Sequence, residues 1–206
     1  FFNTGSNVSN ALSLSTGNDK SQSYISVATT NATGIMPNND YDRYNFSFRN
    51  TTNFLNNKFI LDTSANYIIQ NDKNMVSQGQ YFNPLTSLYL FPRGEDFSDV
   101  AVYERYDDLS GVNTQYWPYG DLGGVSSQNP YWIMNRMNRE NDRRRYKLAA
   151  SLQYNIIEGL NVQGRVSIDN TESKYTEKFH AGTVGNFAGP KGRYKEENRL
   201  DRQVYA

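Results

Sequence analysis

The chain holds a single histidine, His180, and no cysteine. One imidazole without a thiolate cannot build an ordinary transition-metal site, and no spacing in the sequence makes His180 the base of a Ser-His-Asp triad. The carboxylate pairs Asp107-Asp108 and Glu196-Glu197 are adjacent in sequence. A glycosidase pair is defined instead by separation across a cleft, which adjacency does not supply. No catalytic constellation, metal or cofactor is therefore expected. Aromatic side chains in polar, turn-rich sequence offer the other chemistry. Tyr116, Trp117, Tyr119, Tyr131 and Trp132 lie in such a stretch, with Arg93 upstream. Ring faces stack on sugars or on peptide side chains, with a hydroxyl or N–H at the rim. These six residues are the candidate ligand contacts. The competing reading, that the rings pack their own loop together or pack against another protein, is the weightier of the two.

Strands must position such a loop. Tyr146, Leu148, Ala150, Leu152 and Tyr154 take alternate positions, and after a short turn so do Leu160, Val162, Gly164, Val166 and Ile168. Period two is the side-chain repeat of a strand. The intervening residues, including Arg145, Lys147, Gln153, Gln163, Arg165 and Asp169, are polar apart from small Ala149, so each strand has one apolar and one polar face. The same alternation predicts strands near 8–16, 21–33, 44–54, 59–69, 144–154, 160–179 and 193–206. Residues 71–142 break it, forming a long loop with short helices predicted at 84–90 and around 96–105. The 84–90 helix starts with Pro84, a favoured first-turn residue.

Composition narrows the class. Twenty-one basic and twenty-one acidic residues leave no net charge, so nucleic acid is not an expected partner. Mean hydropathy is −0.77, low for a chain with an ordinary packed core. No apolar run is long enough for a transmembrane helix, a test that does not bear on β-barrels.

The connections alternate between short and long. Residues 17–20, 56–57 and 155–159 are tight; residues 34–42, 71–142 and 181–191 are longer. In an up-and-down array every second connection lies at the same end, so one end carries all the large loops. Outer-membrane barrels have this asymmetry. The expected fold is all-β: an antiparallel up-and-down transmembrane β-barrel, of which about seven strands with one long extracellular loop are present. The absent initiator Met, the first strand's direction and the two open edges, which lipid does not tolerate, lead to the expectation of a piece of a larger barrel.

Several segments resemble one family: Phe2-x-x-Gly5; Leu12-Ser13-Leu14-Ser15-x-Gly17-Asn18-Asp19-Lys20; Gly34-Ile35-x-Pro37-Asn38-Asn39-Asp40; Asn83-Pro84 with Leu88-Tyr89-x-x-Pro92-Arg93; Asn129-Pro130-Tyr131-Trp132; and Leu160-x-Val162-x-Gly164-Arg165-Val166-x-x-Asp169. In this order and spacing the chain resembles the SusC/RagA-type TonB-dependent transporters of the Bacteroidetes outer membrane. The resemblance implies a 22-stranded barrel with an N-terminal plug, a SusD-like surface lipoprotein as lid, energy from the TonB complex through the plug, and uptake of glycans or oligopeptides. The plug, TonB box and most strands are not in these residues. The aromatic loop residues would then contact either ligand or lid. Arg139, Arg143, Arg144 and Arg145 would meet lipopolysaccharide phosphates at the outer rim or pair with Glu140 and Asp142, and the pairing is preferred. The alternative from another class is a soluble, secreted β-rich carbohydrate-binding or adhesion module.

Overall fold

Alternating side chains leave the backbone to pair sideways, and in the computed structural model, which describes residues 1–122 and 125–206, it does so in one seven-stranded antiparallel sheet. In chain order the elements are β1 (Ser6–Gly17), β2 (Ser21–Thr33), β3 (Asp40–Phe54), β4 (Phe59–Lys73), α1 (Pro84–Leu90), a 3-10 turn (Phe97–Ala101), β5 (Glu104–Asp107), β6 (Val112–Gln115), β7 (Asp121–Leu122), β8 (Val125–Ser126), α2 (Pro130–Arg136), β9 (Met137–Ile157), β10 (Leu160–Phe179), α3 (Gly185–Ala188) and β11 (Arg193–Tyr205). The large sheet runs β1-β2-β3-β4-β9-β10-β11, each strand beside its sequence neighbour once the 74–136 segment is passed over. β5–β6 and β7–β8 are separate small hairpins. The sheet is open: among the described residues, β1 and β11 pair along one side only.

All tight turns lie at one end. Asn18 caps its turn by accepting from the N–H groups of Lys20 and Ser21, both at 2.9 Å. Leu55, Asn56 and Asn57 turn through positive φ, a conformation asparagine tolerates better than most residues. The long connections gather at the opposite end.

One face is apolar in register across the sheet. Leu14, Ile25, Phe48, Ala65, Leu148, Ile168 and Val204 form one cross-strand row; Leu12, Val27, Phe46, Tyr67 and Tyr146 form the next. Toward the turns, Phe59 stacks on Tyr154 with ring centroids 4.6 Å apart. None of these side chains is buried: Leu12 is 77% exposed, Val162 59% and Leu148 46%. No described element covers this face. The opposite face carries Arg49, Asp62, Asn66, Arg145, Lys147, Arg165 and Asp169.

The apolar band is not perpendicular to the strands. On β1 it runs from Val8 to Leu14, centred at Ala11. The register carries Ala11 through Ala28, Asn45, Ile68 and Arg145 to Thr171 on β10. The band on β10, Leu160 to Ile168, is centred at Gly164, seven positions nearer the turns after five strand steps. The tight turns step the same way. β1–β2 turns just past the pair Gly17–Gln22, β3–β4 past Phe54–Phe59, and β9–β10 past Ile157–Leu160, each further along the register than the last. Both drifts come to roughly 1.4 residues per strand. With a rise of about 3.3 Å per residue and about 4.8 Å between strands, that inclines the strands by about 44° to the normal of the band. Tyr44 to Phe54, the band on β3, then spans about 24 Å along that normal.

The buried core belongs to the long connections. Met36, Trp132, Ile133, Met134, Met137, Phe179 and Ala188 form it. Buried Asn74 ties the pieces together: its amide donates to the carbonyls of Asn38 at 3.1 Å and Met134 at 3.4 Å, and its oxygen accepts from Arg139 N–H at 2.9 Å.

Several boundaries differ from expectation. β9 starts at Met137 rather than near 144, and β4 continues to Lys73, so the long connection shrinks to 74–136. Beyond the band both faces of these strands are polar (Asn138, Arg139, Glu140, Asn141), so no alternation marks them. The helix expected around 96–105 is a single 3-10 turn; Glu104 and Arg105 already belong to β5. The short helices α2 and α3 stand where only loop was expected, α2 opening on Asn129, whose side chain accepts from Tyr131 N–H at 2.8 Å, with Pro130 following.

Candidate ligand site

The aromatic residues of the 74–136 segment are drawn together, chiefly with one another. Phe91 meets Phe97 at 5.0 Å and Tyr119 at 5.1 Å between centroids, and Trp117 lies 5.4 Å from Tyr119. Trp117 donates its indole N–H to Ser127 Oγ at 2.9 Å, and Ser127 donates to the Tyr119 carbonyl at 3.0 Å. Trp117 and Tyr119 are half-buried, and each keeps part of its surface open. Arg93 is exposed on the same segment. Tyr116 lies beneath the Arg105 guanidinium, 3.4 Å from its ring centroid, an arrangement that occupies one face of the ring.

Tyr131 and Trp132 sit elsewhere. Tyr131 is half-buried against Phe1, Phe97 and Tyr103. Trp132 is 1% exposed, and its indole N–H donates to Thr183 Oγ1 at 3.0 Å, joining the long segment to the 180–192 connection. Its ring has no surface to offer a ligand. Asn129, the first residue of the Asn129-Pro130-Tyr131-Trp132 motif, holds the segment in shape by donating to the carbonyls of Val100 at 2.8 Å and Tyr116 at 2.9 Å, and Arg136, outside any motif, pairs with Glu104 through two hydrogen bonds of 2.7 and 2.8 Å. The Arg136 guanidinium holds the Glu104 carboxyl below the usual carboxylate range. Small polar residues buried against carbonyls of distant segments leave no periodic signal.

The arginine run divides between the faces, since adjacent strand residues point to opposite sides. Arg145 binds Asp169 with 2.8 and 2.5 Å contacts, and Arg139 lies 3.6 Å from Glu177 and over the Phe82 and Phe179 rings. The expected partners, Glu140 and Asp142, are not the ones used: Glu140 takes Lys178 at 3.0 Å. Cross-strand neighbours displace sequence neighbours because the register brings their heads to the same face. His180 ends β10's exit, its N–H donating to the Arg136 carbonyl at 3.0 Å. Among the described residues no cluster of His, Cys, Asp and Glu could hold a metal ion.

No protein-family model matches the chain, and a search of curated proteins returns no match.

Proposed function

We propose that the sheet is part of the wall of an outer-membrane β-barrel, in a SusC/RagA-type TonB-dependent importer of glycans or oligopeptides. The observation that carries this reading is the uncovered apolar band that drifts along the register in step with the tight turns. A band seen by a bilayer must lie in one plane, and turns that hug one membrane surface must lie in a parallel plane. Tilted strands then cross both planes at staggered positions. The inclination of about 44° falls at the edge of the 35–45° range of such barrels, and the band height of about 24 Å agrees with their apolar belts. Tyr44, Tyr67 and Tyr146 toward the loops, and Phe54, Phe59 and Tyr154 toward the turns, stand where aromatic girdles belong.

In this reading the polar face lines the lumen, and strands beyond this sheet pair the edges of β1 and β11, since hydrocarbon cannot satisfy an open edge. The large connections face outward, where Trp117, Tyr119 and Arg93 meet the ligand or the SusD-like lid. The plug and TonB complex supply movement, and this chain does no chemistry of its own. A soluble adhesion or carbohydrate-binding module would need a second layer over Leu148, Leu152 and their row. The test is an arginine placed on the band: Leu148→Arg or Phe46→Arg is expected to impair assembly into the outer membrane by about 2–4 kcal/mol near mid-bilayer. Normal assembly of both variants would overturn the proposal.

A further inference from the structure

At its loopward edge the apolar band meets charged residues on its own, outward face. Of the arginine run only Arg144 lies on that face, in line with Tyr146 and Leu148 and six residues loopward of the band centre at Ala150. At a 44° tilt six residues come to about 14 Å along the band normal, about 2 Å past the edge of the belt. Asp142, two residues further along β9, and Glu172 on β10, eight residues loopward of Gly164, each lie about 19 Å from the centre, about 7 Å past the edge. The polar layer of a bilayer is about 5–8 Å deep on each side. All three charges therefore stand at headgroup depth, the guanidinium nearest the hydrocarbon.

The three border one groove of about 440 Å³, within the range of small-molecule sites. Its other charged residues are engaged: Lys174 pairs with Glu196 at 3.2 Å and Arg199 with Asp201 at 3.8 Å. Arg144 stands across from Glu172 in the register, yet among the described residues no ion pair engages Arg144, Asp142 or Glu172. The acids meet amides only, Asn170 donating to Glu172 at 3.4 Å and Asn71 to Asp142 at 3.2 Å. One open cation thus lies about 5 Å at Cα from one open anion and about 7 Å from another. Leu200, 60% exposed, borders the groove on β11, and Leu148, Ile168 and Val204 continue below it as an exposed apolar row. A purely anionic headgroup would meet the two acids, and a purely cationic one would meet Arg144. A headgroup with phosphate on the chain side and an ammonium a few bonds further out matches all three charges in their order of depth.

We propose that this groove holds the headgroup of phosphatidylethanolamine, its phosphate on the Arg144 guanidinium, its ammonium on Asp142 and Glu172, and its acyl chains along Leu148, Ile168 and Val204. A primary ammonium donates three hydrogen bonds, which the trimethylated headgroup of phosphatidylcholine cannot. The inference rests on the barrel-wall reading, which makes this the lipid face, and adds a bound lipid that the reading does not require. The experiment offers the intact protein, extracted in detergent, an equimolar mixture of phosphatidylethanolamine, phosphatidylcholine and phosphatidylglycerol, and counts retained lipids by native mass spectrometry. Phosphatidylethanolamine is expected to be retained about fivefold over either competitor, as a few exposed charge contacts allow. Arg144→Gln is expected to lose that retention and Arg144→Lys to keep most of it. Asp142→Asn with Glu172→Gln is expected to erase the preference over phosphatidylglycerol. Equal retention of the three lipids, or a preference unchanged by either set of substitutions, would overturn the inference. Membrane insertion is scored separately by heat-modifiable gel migration. Insertion without headgroup preference sinks this inference alone, whereas failure to insert sinks the barrel-wall reading with it.

Discussion

Ala150→Arg tests the membrane reading at its sharpest point. Ala150 is the centre of the apolar band on β9, between Tyr146 and Tyr154. The register links it through Thr63, Asn50 and Ser23 to Thr16 on β1. If depth followed the register row, arginine at Ala150 and at Thr16 would cost the same. The drift of roughly 1.4 residues per strand says otherwise. Over the four strand steps between them, Thr16 falls about five residues turnward of the band centre on its own strand, about 12 Å along the band normal at a 44° tilt. That is the edge of a belt about 25 Å tall. Arginine at mid-bilayer costs about 2–4 kcal/mol and near the interface about 0–1 kcal/mol. Ala150→Arg and its near-equal in depth, Val166→Arg, are therefore expected to lose about 2–4 kcal/mol, and Thr16→Arg under about 1 kcal/mol. Ala149→Arg, at the same depth on the polar face, is expected to lose little. The measurement is a denaturant titration of the protein folding into vesicles, read by gel migration. Equal losses at Ala149 and Ala150 would refute the apolar face as lipid-facing; equal losses at Ala150 and Thr16 would refute the tilt.

Other expectations concern the loop end. Trp117→Ala should weaken substrate capture without altering barrel yield, measured by uptake in cells; unchanged uptake would remove the ring from the site. Trp132→Ala should instead open the 74–136 segment, costing about 3–5 kcal/mol of local stability for a buried indole, and should appear as faster proteolysis of that segment in membrane-embedded protein. Asn74→Ala leaves the Asn38 carbonyl and the Arg139 N–H without their side-chain partner and should cost about 1–3 kcal/mol, seen as faster amide exchange in the segments it ties. Glu104 has its folded pKa depressed by Arg136. Its contribution, about 1 kcal/mol for a partly exposed pair, is present above the ordinary carboxylate range and is lost as pH falls through the depressed value. Acidification should therefore speed cleavage near residues 104–136, and Glu104→Gln should remove that step; an unchanged profile in the variant would count against the pair.

Much of this protein is written in its local pattern. The alternation at Tyr146–Tyr154 and at Leu160–Ile168 marks strands because side chains on an extended backbone must point to opposite faces, whatever lies next to them. The tight and long connections, and Pro84 opening a helix, are local signals too. Where both faces turn polar, at Asn138–Asn141, the same strand vanishes from the pattern although its backbone still pairs with Lys73 and its neighbours. Tertiary structure alone decided three things. It set the stagger of the band, because register between β1 and β10 is built through five successive pairings. It chose the partners of the arginines, because heads meet across strands rather than along them. It split the aromatic residues, leaving Trp117 at a surface and sealing Trp132 against Thr183, fifty-one residues away. Two tryptophans in equally polar sequence look alike until the chain between them folds, since burial depends on contacts that no spacing encodes.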